Sequence, residues 1–99
     1  MKYRFHPDAQ AEYHDAALYY MERDPSVALR FVDAVEDAVK RIVDAPRRWR
    51  VIDDDIRRCL THVFPYAILY CVDLDEVLIV AVMHCSREPG YWTARLPKR

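Results

Sequence analysis

The sequence predicts one α+β domain in which a helix hairpin packs on a curved, mainly antiparallel sheet. Two observations support this fold class. Apolar residues repeat at helical spacing through the stretch before Pro46, and two continuous apolar runs follow it, at 66–72 and 77–83. The length of 99 residues suits a single domain over 1–99 and excludes two.

A short strand and a first helix are predicted at the N-terminal end. KYRF, residues 2–5, alternates aromatic side chains with cations, which is typical of a strand. Pro7 and Asp8 suit the first turn of a helix that runs to about Glu22. Its apolar face is marked by Ala9, Tyr13, Ala16, Ala17 and Tyr20.

The second helix has the strongest periodicity in the chain. Ser26 is a suitable N-cap, and Pro46 ends the helix because the residue before a proline is pushed out of the helical region. The apolar positions are Ala28, Phe31, Val32, Val35, Ala38, Val39, Ile42 and Val43. The short turn at 23–25 predicts that the two helices form an antiparallel hairpin.

Three strands are predicted after the helices. Residues 47–55, RRWRVIDDD, suit a solvated loop whose aspartates neutralise its arginines, although RRWR alone resembles a phosphate-binding patch. IRRCL at 56–60 predicts a strand, and a bend at Pro65 follows. Two apolar runs joined by the tight turn DLDE predict strands that are buried on both faces. The predicted order is β-α-α-β-β-β.

Charge and composition restrict the classes of partner. The formal net charge of −1 argues against indiscriminate binding to nucleic acid or anionic membranes. The charge is uneven, because residues 1–39 hold four Lys/Arg and eight Asp/Glu, whereas residues 84–99 hold four and one. A hydrophobic content of 53% is more than so small a domain can bury, which predicts a protein partner, in a homodimer or a hetero-oligomer.

Neither a metal site nor a cofactor is predicted. Cys59, Cys71 and Cys85 are odd in number and sit in apolar stretches, so we expect small core residues and no disulfide. The four histidines are scattered, without metal-ligand spacing. His84 and Cys85 are neighbours on a strand and point to opposite faces, which disfavours cysteine catalysis. Without a signal region or an apolar run long enough to span a bilayer, a reduced, cytoplasmic protein is predicted.

A set of motifs runs in order along essentially the whole chain. The motifs are F-x-P-x-A-x-x-E from Phe5 to Glu12, Tyr19-Tyr20, Ala28 and Phe31, Pro46, Arg57-Arg58, the Phe64-Pro65-Tyr66 bend with Tyr70, and His84-x-x-Arg87-x-Pro89-x-Tyr91-Trp92-x-x-Arg95. In this order they resemble the ParE/RelE superfamily of toxins from bacterial type II toxin–antitoxin pairs, which includes ParE-like plasmid stabilisation proteins.

The resemblance implies a small antitoxin, encoded beside the toxin, that wraps and silences it. It also implies one of two activities. RelE-like members cut mRNA in the ribosome without a metal, whereas ParE-like members are assigned to poisoning DNA gyrase and lack the nuclease residues. A third possibility is a degenerate member that only binds its antitoxin.

Three residues are candidates for catalysis if the chain is a nuclease. RNA cleavage needs a proton donor or acceptor and cations on the phosphate. His84 suits the first role, and Arg87 and Arg58 suit the second. The alternatives are a strand-end histidine satisfied by a hydrogen bond, and an ion pair of Arg87 with Glu88 or an aspartate of 53–55.

The chain departs from the nuclease pattern at two positions. Where RelE-like ribonucleases usually carry arginines, this sequence has Ala67 after the aromatic bend and Cys85 at the end of the last strand. Arg57 and Arg58 are neighbours on a strand, so only one of them joins a given site, and Arg58 is preferred. The two missing cations favour a ParE-like toxin that binds an essential target such as gyrase.

Five residues are candidates for contact with the target or the antitoxin. Tyr91, Trp92 and Arg95 are of types that dominate protein interfaces. The alternatives are that Tyr91 and Trp92 cap the open end of the sheet as core, or stack on a base. Tyr19 and Met21 lie off the apolar stripe of the first helix, so they are expected to meet a partner.

Overall fold

The computed structural model describes residues 1–96, which form a five-stranded sheet with two helices packed on one face. The elements are β1 Lys2–Phe5, α1 Pro7–Arg23, α2 Pro25–Asp44, β2 Val51–Asp53, β3 Ile56–Leu60, β4 Tyr66–Asp73, β5 Glu76–His84 and a short 3₁₀ turn Thr93–Arg95. The sheet order is β1-β5-β4-β3-β2; β1 pairs with β5 in parallel, and the other pairs are antiparallel. The predicted fold class and element order are confirmed, with β2 added. Lys98 and Arg99, part of the basic end and of the domain predicted over 1–99, lie outside the described residues.

Side chains just before each helix cap its first turn. The imidazole Nδ1 of His6 accepts the N–H of Asp8 at 3.0 Å, and the carboxylate of Asp24 accepts the N–H of Ser26 at 3.0 Å. The Ser26 hydroxyl also donates to the Asp24 carboxylate, at 2.8 Å, and this bond together with the one from the Ser26 N–H lowers the pKa of Asp24. The predicted N-cap, Ser26, is therefore wrong by two residues. Pro25 occupies the first helical position. A backbone N–H there has no acceptor within the helix, so the N–H that proline lacks costs no hydrogen bond.

The segment predicted as a loop after α2 contains the edge strand β2 and is fastened to the sheet. The guanidinium of Arg57 donates to the carbonyls of Arg47 at 3.1 Å and Trp49 at 2.7 Å. The hydroxyl of Tyr70 donates to the carbonyl of Pro46, and burial raises the pKa of Tyr70 to about 12. A three-residue strand with exposed side chains has no apolar run, so the sequence did not predict it.

Apolar side chains cover both faces of the central strands. The face towards the helices carries Ile68, Tyr70, Val77, Ile79 and Val82. The face away from the helices, called here the outer face, carries Leu69, Cys71, Leu78, Val80 and Ala81, with Ile56 and Trp92. This confirms the prediction of strands buried on both faces. Cys59 and Cys71 are buried as predicted, but Cys85 is exposed because β5 ends at His84.

The upper half of β5 has no neighbouring strand on one side. β1 is four residues long and pairs with β5 only as far as Ile79. Beyond that point β5 contains a β-bulge, since Leu69 pairs with Ala81 and Tyr70 with Ile79, which leaves Val80 as an extra residue. Backbone N–H and C=O groups in this stretch therefore need partners other than a strand.

Three side chains, Glu12, Tyr91 and Arg95, form a hydrogen-bonded group at this edge, which we call the Glu12 cluster. Glu12 of α1 accepts the N–H of Val82 at 3.1 Å, and Arg95 donates to the carbonyl of Val80 at 3.1 Å. The same carboxylate accepts Arg95 at 2.8 and 3.2 Å and the hydroxyl of Tyr91 at 2.6 Å. The cluster thus ties α1, β5 and the C-terminal segment, residues 85–96, to one another.

The cluster also changes the acidity of its members. Burial, then the hydrogen bond to the Glu12 carboxylate, raises the pKa of Tyr91 far above its usual value. Burial alone lowers the pKa of Arg95, but its hydrogen bonds with Glu12 and the negative charge nearby together raise it. Tyr91 therefore stays a neutral donor and Arg95 stays a cation.

We expect Glu12→Ala to lower the free energy of unfolding by about 2–4 kcal/mol, because Arg95 and the N–H of Val82 lose their acceptor. Asp15→Ala, at an exposed acid of the same helix, is the matched control and is expected to stay within about 0.5 kcal/mol. Urea denaturation followed by tryptophan fluorescence measures both. Equal losses in the two variants would contradict the role given to Glu12.

The turn between β4 and β5 predicts a stabilising substitution. Leu74 and Asp75 have φ values of 51° and 60°, a left-handed conformation that favours asparagine and glycine. Leu74 is 93% exposed and loses no packing when replaced. We expect Leu74→Asn to raise the free energy of unfolding by about 0.5–1 kcal/mol. The same change at exposed Leu29 in α2 is the control and is expected to lower it; a loss at Leu74 as well would argue against strain there.

Candidate functional site

A groove of about 460 Å³ opens on the outer face, between the sheet and the C-terminal segment. We call it the outer groove. Its walls combine the cations Arg58 and Arg87 with apolar Leu69, Met83 and Trp92. Ile52, Asp53 and Cys85 also line it. A groove of this composition suits a partner segment that is acidic and partly apolar.

Strand alternation places Arg58 in the outer groove. On β3, Ile56 belongs to the outer-face cluster and Cys59 to the helix-side cluster. Arg57 is bonded to the loop carbonyls that follow α2, while Arg58 lines the groove. The two arginines therefore separate as predicted, and Arg58 is the one that lines the outer groove; its role in a functional site stays a prediction.

The turn after β5 places Arg87 over an aromatic ring. The N–H of Arg87 donates to the carbonyl of His84 at 2.9 Å, and Gly90 has a φ of 81°, in the region that favours glycine. The chain thereby reverses, and the guanidinium carbon of Arg87 lies 4.0 Å from the centre of the Tyr91 ring. This cation–π contact orients Arg87 at the mouth of the groove.

His84 lies on the other face of the sheet. It pairs with Tyr66, and the two rings meet edge to face at 5.2 Å, next to the helix-side cluster. Its Nδ1 accepts the N–H of Ser86 at 3.1 Å and lies 2.7 Å from the Ser86 hydroxyl oxygen. This agrees with the alternative of a strand-end histidine satisfied by a hydrogen bond. The structure thus brings Arg58 and Arg87 to one groove and leaves His84 outside it.

The C-terminal aromatic and basic residues are mostly used inside the chain. Trp92 is 3% exposed and packs in the outer-face cluster, and the side chain of Arg95 is 13% exposed within the Glu12 cluster. Trp92 thus covers the outer face of the sheet, in agreement with the alternative of a core role, and contact of Trp92 and Arg95 with a partner stays a prediction. Tyr91 is half-buried, with its hydroxyl on Glu12 and its ring under Arg87.

The two helix candidates are exposed, as their position off the apolar stripe predicts. Tyr19 and Met21 are each about half exposed. The guanidinium carbon of Arg23 lies 3.5 Å from the centre of the Tyr19 ring, which holds that ring against the helix. Both side chains are available to a partner protein.

The structural role of Glu12 was not predicted from the sequence. It stands three residues after Ala9 and four before Ala16, and both alanines are buried. A carboxylate between two buried positions on one helix face was the signal for a buried charge that needs a partner. That partner, Arg95, is 83 residues away, so spacing alone does not reveal it.

The two positions that depart from the nuclease pattern both lie on the outer face. Ala67 is buried in the outer-face cluster, and Cys85 lines the outer groove. Arginines at these positions would have added charge beside Arg58. Within residues 1–96, no group of three or more His, Cys, Asp or Glu is placed to hold a metal ion. No helix in the same range is long and apolar enough to cross a membrane.

Comparison with known proteins agrees with the geometry. A family model described as the ParE toxin of type II toxin–antitoxin systems, parDE, matches residues 3–89. A search of curated proteins gives no match. Among solved structures, a chain from the chromosomal ParDE toxin–antitoxin system of P. aeruginosa has the same fold, with a TM-score of 0.73 and 19% identity, covering 85% of this chain and 95% of that chain. Because the family model spans most of the sequence, this chain belongs to the ParE toxin family.

Proposed function

We propose that this chain is a cytoplasmic toxin that arrests growth by binding an essential target such as DNA gyrase, and that a cognate antitoxin neutralises it. The observation that carries the proposal is the separation of the catalytic candidates. The acid–base candidate His84 contacts Tyr66 on the helix side, whereas Arg58 and Arg87 line the outer groove. A nuclease needs these groups around one phosphate.

The electrostatics of the outer groove support binding over catalysis. Removing one charge-stabilising donor from an active site typically lowers the rate by ~10²–10³. Cys85 lines the groove and Ala67 pairs with the groove residue Met83; neither supplies such a donor, and Asp53 adds an opposing charge. The remaining cations, above an apolar floor, suit the recognition of a protein segment with acidic and apolar side chains.

The same surface suits both partners of a toxin. Arg58 and Arg87 are exposed, so an acidic segment of the target or of the antitoxin has access to them. If both use the outer groove, the antitoxin neutralises the toxin by competition. The complex with the antitoxin is then a hetero-oligomer, and its formation frees the target without any change in the toxin fold.

The experiment that tests the function is induction of the chain in a bacterium, with and without the gene beside its own. We expect growth arrest, DNA breaks and an SOS response with intact mRNA, and relief of all three by the neighbouring gene. Purified protein is expected to inhibit gyrase supercoiling in the same concentration range in which it binds gyrase. Cleaved mRNA with intact DNA would contradict the proposal and indicate a ribonuclease. Absence of growth arrest would indicate a chain that only binds its antitoxin.

Single substitutions distinguish the contribution of the outer groove to growth inhibition from that of His84. We expect His84→Ala to leave growth inhibition within about twofold, and Arg58→Glu to weaken it about tenfold or more, because a reversed charge opposes an acidic partner. Arg48→Glu reverses an exposed arginine outside the groove and is the matched control. Circular dichroism and thermal unfolding check that each variant is folded. Loss of activity in His84→Ala with Arg58→Glu unaffected would overturn the assignment of the groove.

A further inference from the structure

The open edge of the sheet at β2 carries opposite charges at its two ends. Arg47 and Arg50 precede the strand, Asp53 and Asp54 lie at its other end, and all four side chains are exposed. We call residues 47–54 the β2 edge. The aspartates of this segment were predicted to neutralise its arginines, but within residues 1–96 no ion pair joins these four side chains. Both ends of the β2 edge therefore present their charges to solvent.

The backbone of β2 offers hydrogen-bonding groups on the same side. The carbonyl of Arg50 accepts the N–H of Arg58 at 3.2 Å, and Val51 stands opposite Arg57. Because the backbone groups of successive residues in an antiparallel strand point in opposite directions, the N–H and C=O of Val51 point away from β3. β2 is the last strand in the sheet order, so these groups face the open edge.

The order of the charges selects the occupant of this edge. Edge strands often carry charged side chains that prevent pairing with other chains. Here the cations and the acids stand at opposite ends, so an antiparallel second copy places the arginine end of each β2 edge beside the aspartate end of the other. A parallel copy sets like charges side by side, which is destabilising. A nucleic acid is attracted by the arginines but repelled by the aspartates.

We infer that β2 pairs antiparallel with β2 of a second copy, in a symmetric homodimer that joins the two five-stranded sheets. The two Val51 residues exchange N–H···O=C bonds at the two-fold axis, and the arginines of each copy meet the aspartates of the other. The axis is perpendicular to the sheet, so both outer grooves, whose walls include Ile52 and Asp53, open on one face of the dimer. The dimer does not depend on the proposed function.

The small size of the contact sets its strength. The β2 edge contributes eight residues from each copy, whereas a stable interface of standard size uses about 20–30 residues a side. The dimer is therefore weak and reversible. Its ion pairs lie at an exposed edge, so salt in the solution screens them.

Sedimentation velocity of the full chain tests for the dimer, at protein concentrations up to about 1 mM, where an interface of this size is populated. We expect a monomer–dimer equilibrium whose dissociation constant rises about tenfold between about 0.05 and 0.5 M NaCl. A monomer at every concentration would overturn the inference, and so would a dimer that salt strengthens.

Charge-reversed variants locate the dimer contact. Arg47→Glu with Arg50→Glu makes both ends of the β2 edge acidic, and Asp53→Lys with Asp54→Lys makes both ends basic. We expect each variant alone to be a monomer, and an equimolar mixture to form a heterodimer, because every acidic end then meets a basic one. Circular dichroism and thermal unfolding check that both variants are folded. A mixture of folded variants that stays monomeric would overturn the inference.

Two control variants make the same changes in net charge elsewhere. Arg23→Glu with Arg30→Glu changes exposed arginines of the helices, and Asp15→Lys with Asp75→Lys changes exposed acids. The φ of Asp75 is 60° and that of Asp54 is 51°, so the second control also reproduces a lysine in left-handed conformation. We expect both controls to keep the dimer of the unmodified chain. Equal losses in the controls and in the β2-edge variants would overturn the inference.

Nucleic acid is the other possible occupant of the arginine end. Fluorescence anisotropy with a labelled single-stranded RNA and a labelled duplex DNA measures this binding. We expect the Arg47→Glu, Arg50→Glu variant and the Arg23→Glu, Arg30→Glu control to bind equally weakly. Binding that is lost only in the first variant, together with a monomeric unmodified chain, would assign the arginines to phosphate and overturn the dimer.

Discussion

Glu12 carries a negative charge from α1 to the point where β5 has lost its neighbouring strand. A carboxylate has enough acceptor sites to take the N–H of Val82, the hydroxyl of Tyr91 and the guanidinium of Arg95 together. The negative charge of Glu12 holds Arg95 there, and Arg95 donates a hydrogen bond to the carbonyl of Val80. The C-terminal segment is thereby fixed across the outer face, where it buries Trp92 and forms one wall of the outer groove. The candidate site exists because this one contact between distant parts of the chain closes.

The uneven charge of the sequence corresponds to two surfaces on opposite sides of the sheet. The outer groove is cationic through Arg58 and Arg87, whereas the helices on the other side of the sheet carry exposed acids such as Asp15. A net charge of −1 hides this polarity. Because the sheet lies between them, the positive charge of the outer groove is separated from the acids of the helices.

Local patterns were sufficient for most of the fold, and long-range contacts decided the remainder. The periodicity of α2 and the two continuous apolar runs specify the helices and the central strands, since burial on two faces leaves few alternatives. The strand β2 and the N-cap Asp24 were missed because each depends on one or two residues. Trp92 and Arg95 are residue types that are common in interfaces. In this chain, however, Trp92 is buried on the outer face of the sheet and Arg95 donates to a carbonyl at the open edge of β5. Their role follows from Glu12, 83 positions from Arg95, which no short window of sequence contains.

The bulge at Val80 connects the Glu12 cluster to the proposed function. Side chains alternate between faces along a strand, and one extra residue reverses the alternation for everything that follows. Val80 and Ala81 both face outward, so Val82 and His84 fall on the helix side and Met83 falls in the outer groove. Without the extra residue, His84 would share the outer face with Arg58, which is the arrangement that RNA cleavage requires. Glu12 and Arg95 bind the backbone N–H of Val82 and the carbonyl of Val80 at the bulge. The contact that fixes the C-terminal segment therefore also keeps His84 away from the cations of the outer groove. Under the proposed function, such a toxin acts through the surface it presents, and the shape and charge of the outer groove set its activity.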